Sequence, residues 1–218
     1  MVEQSGTALL LEQICNHHED KIMPLGAFKA ALMGTAGVST GDVVLLHDTD
    51  YSNAASASIT SGIDSTYGEY IFKFYNINPA TDNTTFHFQV NATDGADYND
   101  SAITSTYFRV LHDEADSDTT LAYLASADQA QGTAFQILAR ELGNGADESG
   151  AGELHLFNPS STTYVKHFYA TMQVYRQDNY TANLYVAGYI NDTTAIDDIQ
   201  FKMSSGNLDG TIKMWGVK

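Results

Sequence analysis

Ile199-Gln-Phe-Lys-Met-Ser-Ser-Gly-Asn-Leu-Asp-Gly-Thr-Ile-Lys-Met-Trp-Gly-Val-Lys218 decides the fold class. In its first half Ile199, Phe201 and Met203 share one face of an extended chain, while Gln200, Lys202 and Ser204 share the other. In its second half Ile212 and Met214 oppose Thr211, Lys213 and Trp215. Side chains alternate across a strand, so this pattern predicts two strands, each with one face for a core and one for solvent. Ser205-Gly-Asn-Leu-Asp-Gly210 between them supplies residues that tolerate the positive φ of a short turn. The expectation is a hairpin that closes a β-sandwich.

The same period runs backward through the chain. Tyr70, Phe72 and Phe74 oppose Ile71, Lys73 and Tyr75, and Phe86, Phe88 and Val90 oppose His87 and Gln89. Strands are predicted at 42–47, 69–77, 84–91, 104–111, 133–140, 152–157, 163–176, 183–190, 197–203 and 211–217, separated by Gly, Asn, Asp and Ser clusters. About ten such strands imply two packed antiparallel sheets, an all-β sandwich over residues 39–218. The 163–176 segment has bulky residues of both parities, which predicts a central strand or a face covered by another subunit. Residues 1–38 read differently. Ala8, Leu9, Leu11, Ile14 and Cys15 suit a short helix that cannot continue through Pro24, so this part is expected to be an N-terminal helical arm.

Composition narrows the partners. With 27 acidic and 10 basic residues the formal charge is −17, which leaves no basic patch for a phosphate backbone and argues against nucleic acid. A hydrophobic fraction of 43%, with 13 Tyr and 10 Phe, is ample for a packed core. Cys15 is the only cysteine, so no intramolecular disulfide is expected. The start of the chain lacks a basic n-region, and the Ala8–Leu11 apolar run is too short for a signal peptide or a membrane span.

Candidate chemistry is sparse. Glu114-Ala-Asp-Ser-Asp118 resembles the opening of a calcium loop, but Thr119 stands where the loop glycine belongs and Ala125 where the closing Glu belongs. His17-His18-Glu19-Asp20 places its ligands on diverging helical directions. Glu69, Glu141 and Glu153 are strand-borne carboxylates of the kind a hydrolase pairs, with nothing in their spacing to bring two together. No Gly-x-Ser-x-Gly elbow, P-loop or dinucleotide fingerprint occurs, so no catalytic residue, cofactor or metal site is assigned. Tyr123, Tyr180, Tyr185 and Tyr189, beside Asn/Asp loops, are the candidate ligand-binding residues: rings to stack on a sugar and hydroxyls to bond it. The competing reading has them filling sheet faces or subunit contacts.

Three stretches carry a resemblance. Tyr67-Gly-Glu-Tyr-Ile-Phe-Lys-Phe-Tyr-Asn-Ile-Asn-Pro-Ala-Thr-Asp82, Gly152-Glu-Leu-His-Leu-Phe-Asn-Pro-Ser-Ser-Thr-Thr-Tyr164 and the 199–218 segment are similar to jelly-roll virion structural proteins of tailed bacteriophages, marine ones especially. The resemblance implies a jelly-roll-like sandwich without enzymatic activity. It also implies a tail-associated or fibre-like place in the virion after synthesis in the host cytoplasm. The partners expected are other virion proteins, further copies of the chain in a homotrimer, and a host surface polysaccharide. Capsid decoration, as a cement protein or head fibre, is the alternative, and a free carbohydrate-binding module is a third class.

Overall fold

Alternating apolar residues produce thirteen strands in the computed structural model, which describes residues 42–92, 97–99 and 101–218. The expected arm at 1–38 lies outside the described residues. The strands are β1 (Val43–Ala54), β2 (Ala57–Ile59), β3 (Glu69–Pro79), β4 (Thr84–Ala92), β5 (Ile103–Asp113), β6 (Thr119–Tyr123) and β7 (Ala130–Gly132). They continue as β8 (Gln136–Leu142), β9 (Gly150–Phe157), β10 (Lys166–Tyr175), β11 (Tyr180–Ile190), β12 (Ile196–Met203) and β13 (Leu208–Val217).

Every pairing is antiparallel. A large sheet runs β1-β13-β3-β9-β10-β11-β5-β6, with β7 also on β5, and a small sheet runs β2-β12-β4-β8. The sandwich expectation therefore holds: the protein is all-β, with two antiparallel sheets.

The decisive stretch does not fold as a hairpin. β12 lies in the small sheet and β13 in the large one, so Ser204–Asn207 is a corner that carries the chain from one sheet to the other. Gly206 turns that corner at φ 73°, where a Cβ would stand 2.3 Å from the Thr81 hydroxyl. Alternation is preserved, but Phe201 and Met203 now point across the sandwich toward the sheet that holds Ile212 and Met214.

Between the sheets the aromatic residues interlock. Phe201 from β12 meets Phe72 and Phe74 of β3 at centroid distances of 5.6 and 5.1 Å, and Phe86 of β4 meets Phe74 edge-on at 5.3 Å. Phe88 meets Phe168 of β10 in the same manner at 5.1 Å. All but Phe168 and Phe74 are fully buried, and those two nearly so. Tilted and edge-on pairs of this kind add about 0.5–1.5 kcal/mol beyond the area they bury. Removing the Phe201 ring would cost about 3–5 kcal/mol.

β10 is the central strand expected at 163–176, but it buries one face and not two. It begins at Lys166, occupies the centre of the large sheet, and buries only Lys166, Phe168, Ala170, Met172 and Val174. The Lys166 ammonium is held inside by the carbonyls of Asp192, at 2.9 Å, and Thr194. Its other face, with His167 and Tyr169, is open.

Candidate functional site

The outer face of the large sheet is where side chains with chemistry collect, and the strand register sets their order. Across one row stand Asp48, Lys213, Lys73, Glu153, Thr171, Tyr185, Phe108 and Tyr123. The row changes character along its length: charged on β1, β13, β3 and β9, aromatic on β11, β5 and β6. The next row ends without charge, in Asn183, Val110 and Leu121, paired in turn.

At the aromatic end Phe108 lies parallel to Tyr185, ring centroids 4.8 Å apart and planes within 12°. Leu121 is 73% exposed and Tyr123 56%, with Phe108, Val110 and Tyr185 also exposed. None of these five carries a charge, although the chain as a whole carries −17. Apolar residues scattered singly on a surface are ordinary, whereas a contiguous cluster marks an interaction site. β6 itself, Thr119-Thr-Leu-Ala-Tyr123, forms the sheet edge, and among the described residues no strand pairs with its far side.

Two of the four candidate tyrosines thus meet in one patch: Tyr185 and Tyr123, both register partners of Phe108. The Tyr123 hydroxyl donates to Asp128. Tyr189 shares the outer face of β11 but lies toward its other end, edge-on to His167 at 6.3 Å. Tyr180 does not belong with them. It has the opposite parity to Tyr185, is half-buried against the core, holds the Arg176 guanidinium over its ring at 5.1 Å, and donates its hydroxyl to Asp118.

The carboxylates separate into two groups. Glu69 and Glu153 flank His155, whose Nδ1 lies 2.6 Å from Glu69 and Nε2 3.4 Å from Glu153, with the imidazole stacked on Tyr169 at 4.4 Å. Lys73 adds an ion pair to Glu153 at 3.4 Å. Partial burial would raise the Glu153 carboxyl, but the bonds from His155 and Lys73 outweigh it and hold the group below its ordinary range. Glu141 lies elsewhere, between Arg109 at 2.7 Å and Arg176 at 3.0 Å. Sequence reasoning considered these three glutamates together; register brings only the first two to one place.

The acidic turn at 113–118 is closed on itself. Asp113 accepts from the Ser117 and Asp118 backbone N–H groups, both at 2.8 Å, and from the Ser117 hydroxyl, which with the Asp118 bond holds its carboxyl down to about 2. Among the described residues no group of three or more His, Cys, Asp or Glu is placed to hold a metal ion. No helix among them is long and apolar enough to cross a membrane.

Sequence reasoning missed one groove. The β9–β10 connection lies against the start of β3 and borders an open groove of about 870 Å³, lined by Tyr67, Phe157, Asn158, Tyr164, His167 and Thr193. Its aromatic and hydroxyl residues were visible within Phe157–Tyr164, but Tyr67 and Thr193 reach it from distant parts of the chain.

No family model matches the chain, and no curated protein matches it. Among solved structures it is compared with the D2–D3 domains of the flagellar cap protein FliD from Escherichia coli, 12% identical, with 82% of this chain and 100% of that chain covered and a TM-score of 0.12. A likeness that weak carries no argument about fold or function.

Proposed function

We propose that the chain is a non-enzymatic structural protein of a bacteriophage virion, tail-associated or fibre-like, built on a jelly roll and assembled from copies of itself through the β5–β6–β11 end of its large sheet. The observation that carries the assembly is the edge of β6, unpaired among the described residues, with Leu121 and Tyr123 exposed on it. An uncharged, unpaired edge is a template for another chain. A chain at −17 repels its copies, and in this patch two can meet on the uncharged side chains of Phe108, Val110, Leu121, Tyr123 and Tyr185.

The jelly-roll part of the proposal is supported by strand order. The group β1-β13-β3-β9 stands against the group β2-β12-β4-β8, with the chain alternating between them from β1 to β4 and again from β8 to β9 and β12 to β13. Two interleaved four-stranded groups are the arrangement of a jelly roll, a fold recurrent in viral capsid and lectin domains. β5–β7 and β10–β11 then become additions that widen the first group and create the aromatic end. Fold alone does not assign function. The virion reading therefore rests also on the resemblance carried by Tyr67–Asp82, Gly152–Tyr164 and 199–218, which span β3, β9, β12 and β13.

Two measurements test the proposal. Light scattering on the purified chain should give a multiple of 23.7 kDa, three copies being the expected order. Gold-labelled antibody on purified particles should mark the tail. Label spread over the head would replace the fibre reading by capsid decoration, and absence from particles would end the virion reading.

A further inference from the structure

The groove beside the β9–β10 connection is lined without Asp, Glu, Lys or Arg, in a chain with 27 acidic and 10 basic residues. A second depression, by contrast, is lined by Asp113, Glu114 and Asp116. The groove's volume, about 870 Å³, falls within the roughly 300–1,000 Å³ of small-ligand sites.

The walls of the groove are built before any ligand arrives. Asn158, at φ 45°, donates its N–H to the Gly68 carbonyl at 2.8 Å, which ties the connection to the start of β3. Ser161 then accepts from the N–H groups of Thr163 at 3.3 Å and Tyr164 at 3.0 Å, while the Pro159 carbonyl accepts from Ile196 at 3.0 Å. A loop fixed on three sides loses little freedom on binding. On this frame the Tyr164 ring is 74% exposed, and Tyr67 is held edge-on to Tyr70 at 5.9 Å. Among the described residues, the side-chain polar atoms of Tyr67, Asn158, Thr163, Tyr164 and His167 have no hydrogen-bond partner.

We infer that this groove binds a neutral saccharide chain. Sugar rings present an apolar C–H face, which stacks on aromatic rings, and an edge of hydroxyls, which takes amide and hydroxyl partners. Tyr67, Phe157 and Tyr164 supply the first, and Asn158, Thr163 and Thr193 the second. An acidic polysaccharide would need Arg or Lys here, and a cationic ligand would need carboxylates. The inference rests on the proposed tail-associated reading and gives the host surface polysaccharide expected from the sequence a site, away from Tyr123, Tyr180 and Tyr185.

The test is to screen the full chain against an array of neutral and acidic glycans, then to titrate the best neutral oligosaccharide calorimetrically. Neutral glycans should be retained, and Tyr164→Ala, at an exposed position that spares the core, should weaken binding at least tenfold, with Tyr164→Phe intermediate. Leu121→Glu should bind the saccharide as the parent does while changing the mass of the assembly, so failure of one proposal is not failure of the other. Retention of acidic glycans alone, retention of none, or unchanged binding by Tyr164→Ala would overturn the inference.

Discussion

The two edges of the large sheet solve the same problem differently. β1 is the longer edge strand, yet Asp48 and Asp50 stand on it, Lys213 bonds Asp48 at 2.9 Å, Thr211 bonds Asp50 at 2.6 Å, and its register with β13 shifts between Leu45 and His47. Charge and a bulge both discourage a further strand. β6 has neither: five uncharged residues, in register with β5 without a shift, with Leu121 and Tyr123 turned to solvent. One edge ends the sheet and the other leaves it open to a partner. The proposed self-assembly rests on this omission, at β6, of the protection the chain uses at β1.

Substitutions at the two edges and between them would break or sharpen that contrast. Leu121→Glu should have the largest effect, weakening self-association on the order of 100-fold in sedimentation, because a charge would enter the contact. Leu45→Glu, at the 48% exposed counterpart on β1, should leave association within about twofold. Equal weakening by both would erase the distinction between the edges.

Acid should separate folding from assembly. Burial, helped by nearby Lys202, holds the His87 imidazole in β4 at about 4 instead of 6.5. Between these values the unfolded chain takes up a proton that the folded chain refuses, so stability falls as pH drops from 6.5 to 4, by up to about 3 kcal/mol. In urea titrations across that window His87→Gln should lose less stability than the parent, while the β6-dependent mass is the same for both proteins. Next in size, Glu141→Gln leaves Arg109 and the buried Arg176 without their shared carboxylate at the β5 side of the sheet, and should cost about 2 kcal/mol in urea. Asp48→Asn, at the exposed β1 pair, should move the urea midpoint least, and less still at high salt.

Much of the core was legible because alternation reports burial directly: Tyr70, Phe72, Phe74, Phe86, Phe88 and Val90 all point inward as their parity requires. The same parity separates Tyr180 from Tyr185, a signal available in the sequence. Alternation is silent about which sheet a strand joins, and so β12 and β13 looked like a hairpin. β6 escaped notice because its pattern is inverted: the apolar Leu121 and Tyr123 face out while Thr120 and Ala122 are only half-buried. The patch and the groove were invisible for a further reason. Tyr123 and Tyr185 become neighbours only when β5 lies between their strands, and Tyr67 reaches Tyr164 only through the pairing of β3 with β9.

On the ribosome, β13 emerges after the other described strands, yet the first of them needs it. Among the described residues β1 pairs in the large sheet with β13 alone, and β13 also pairs with β3, so the earliest described strand waits for the latest before its ladder can form. A nascent chain that has released β1 through β12 holds β1 without its ladder and β3 paired on one side only. Closure is then a single event with a long loop to span, which predicts slow, all-or-none folding once β13 is free and a nascent state that depends on chaperones to keep that seam from joining the wrong strand.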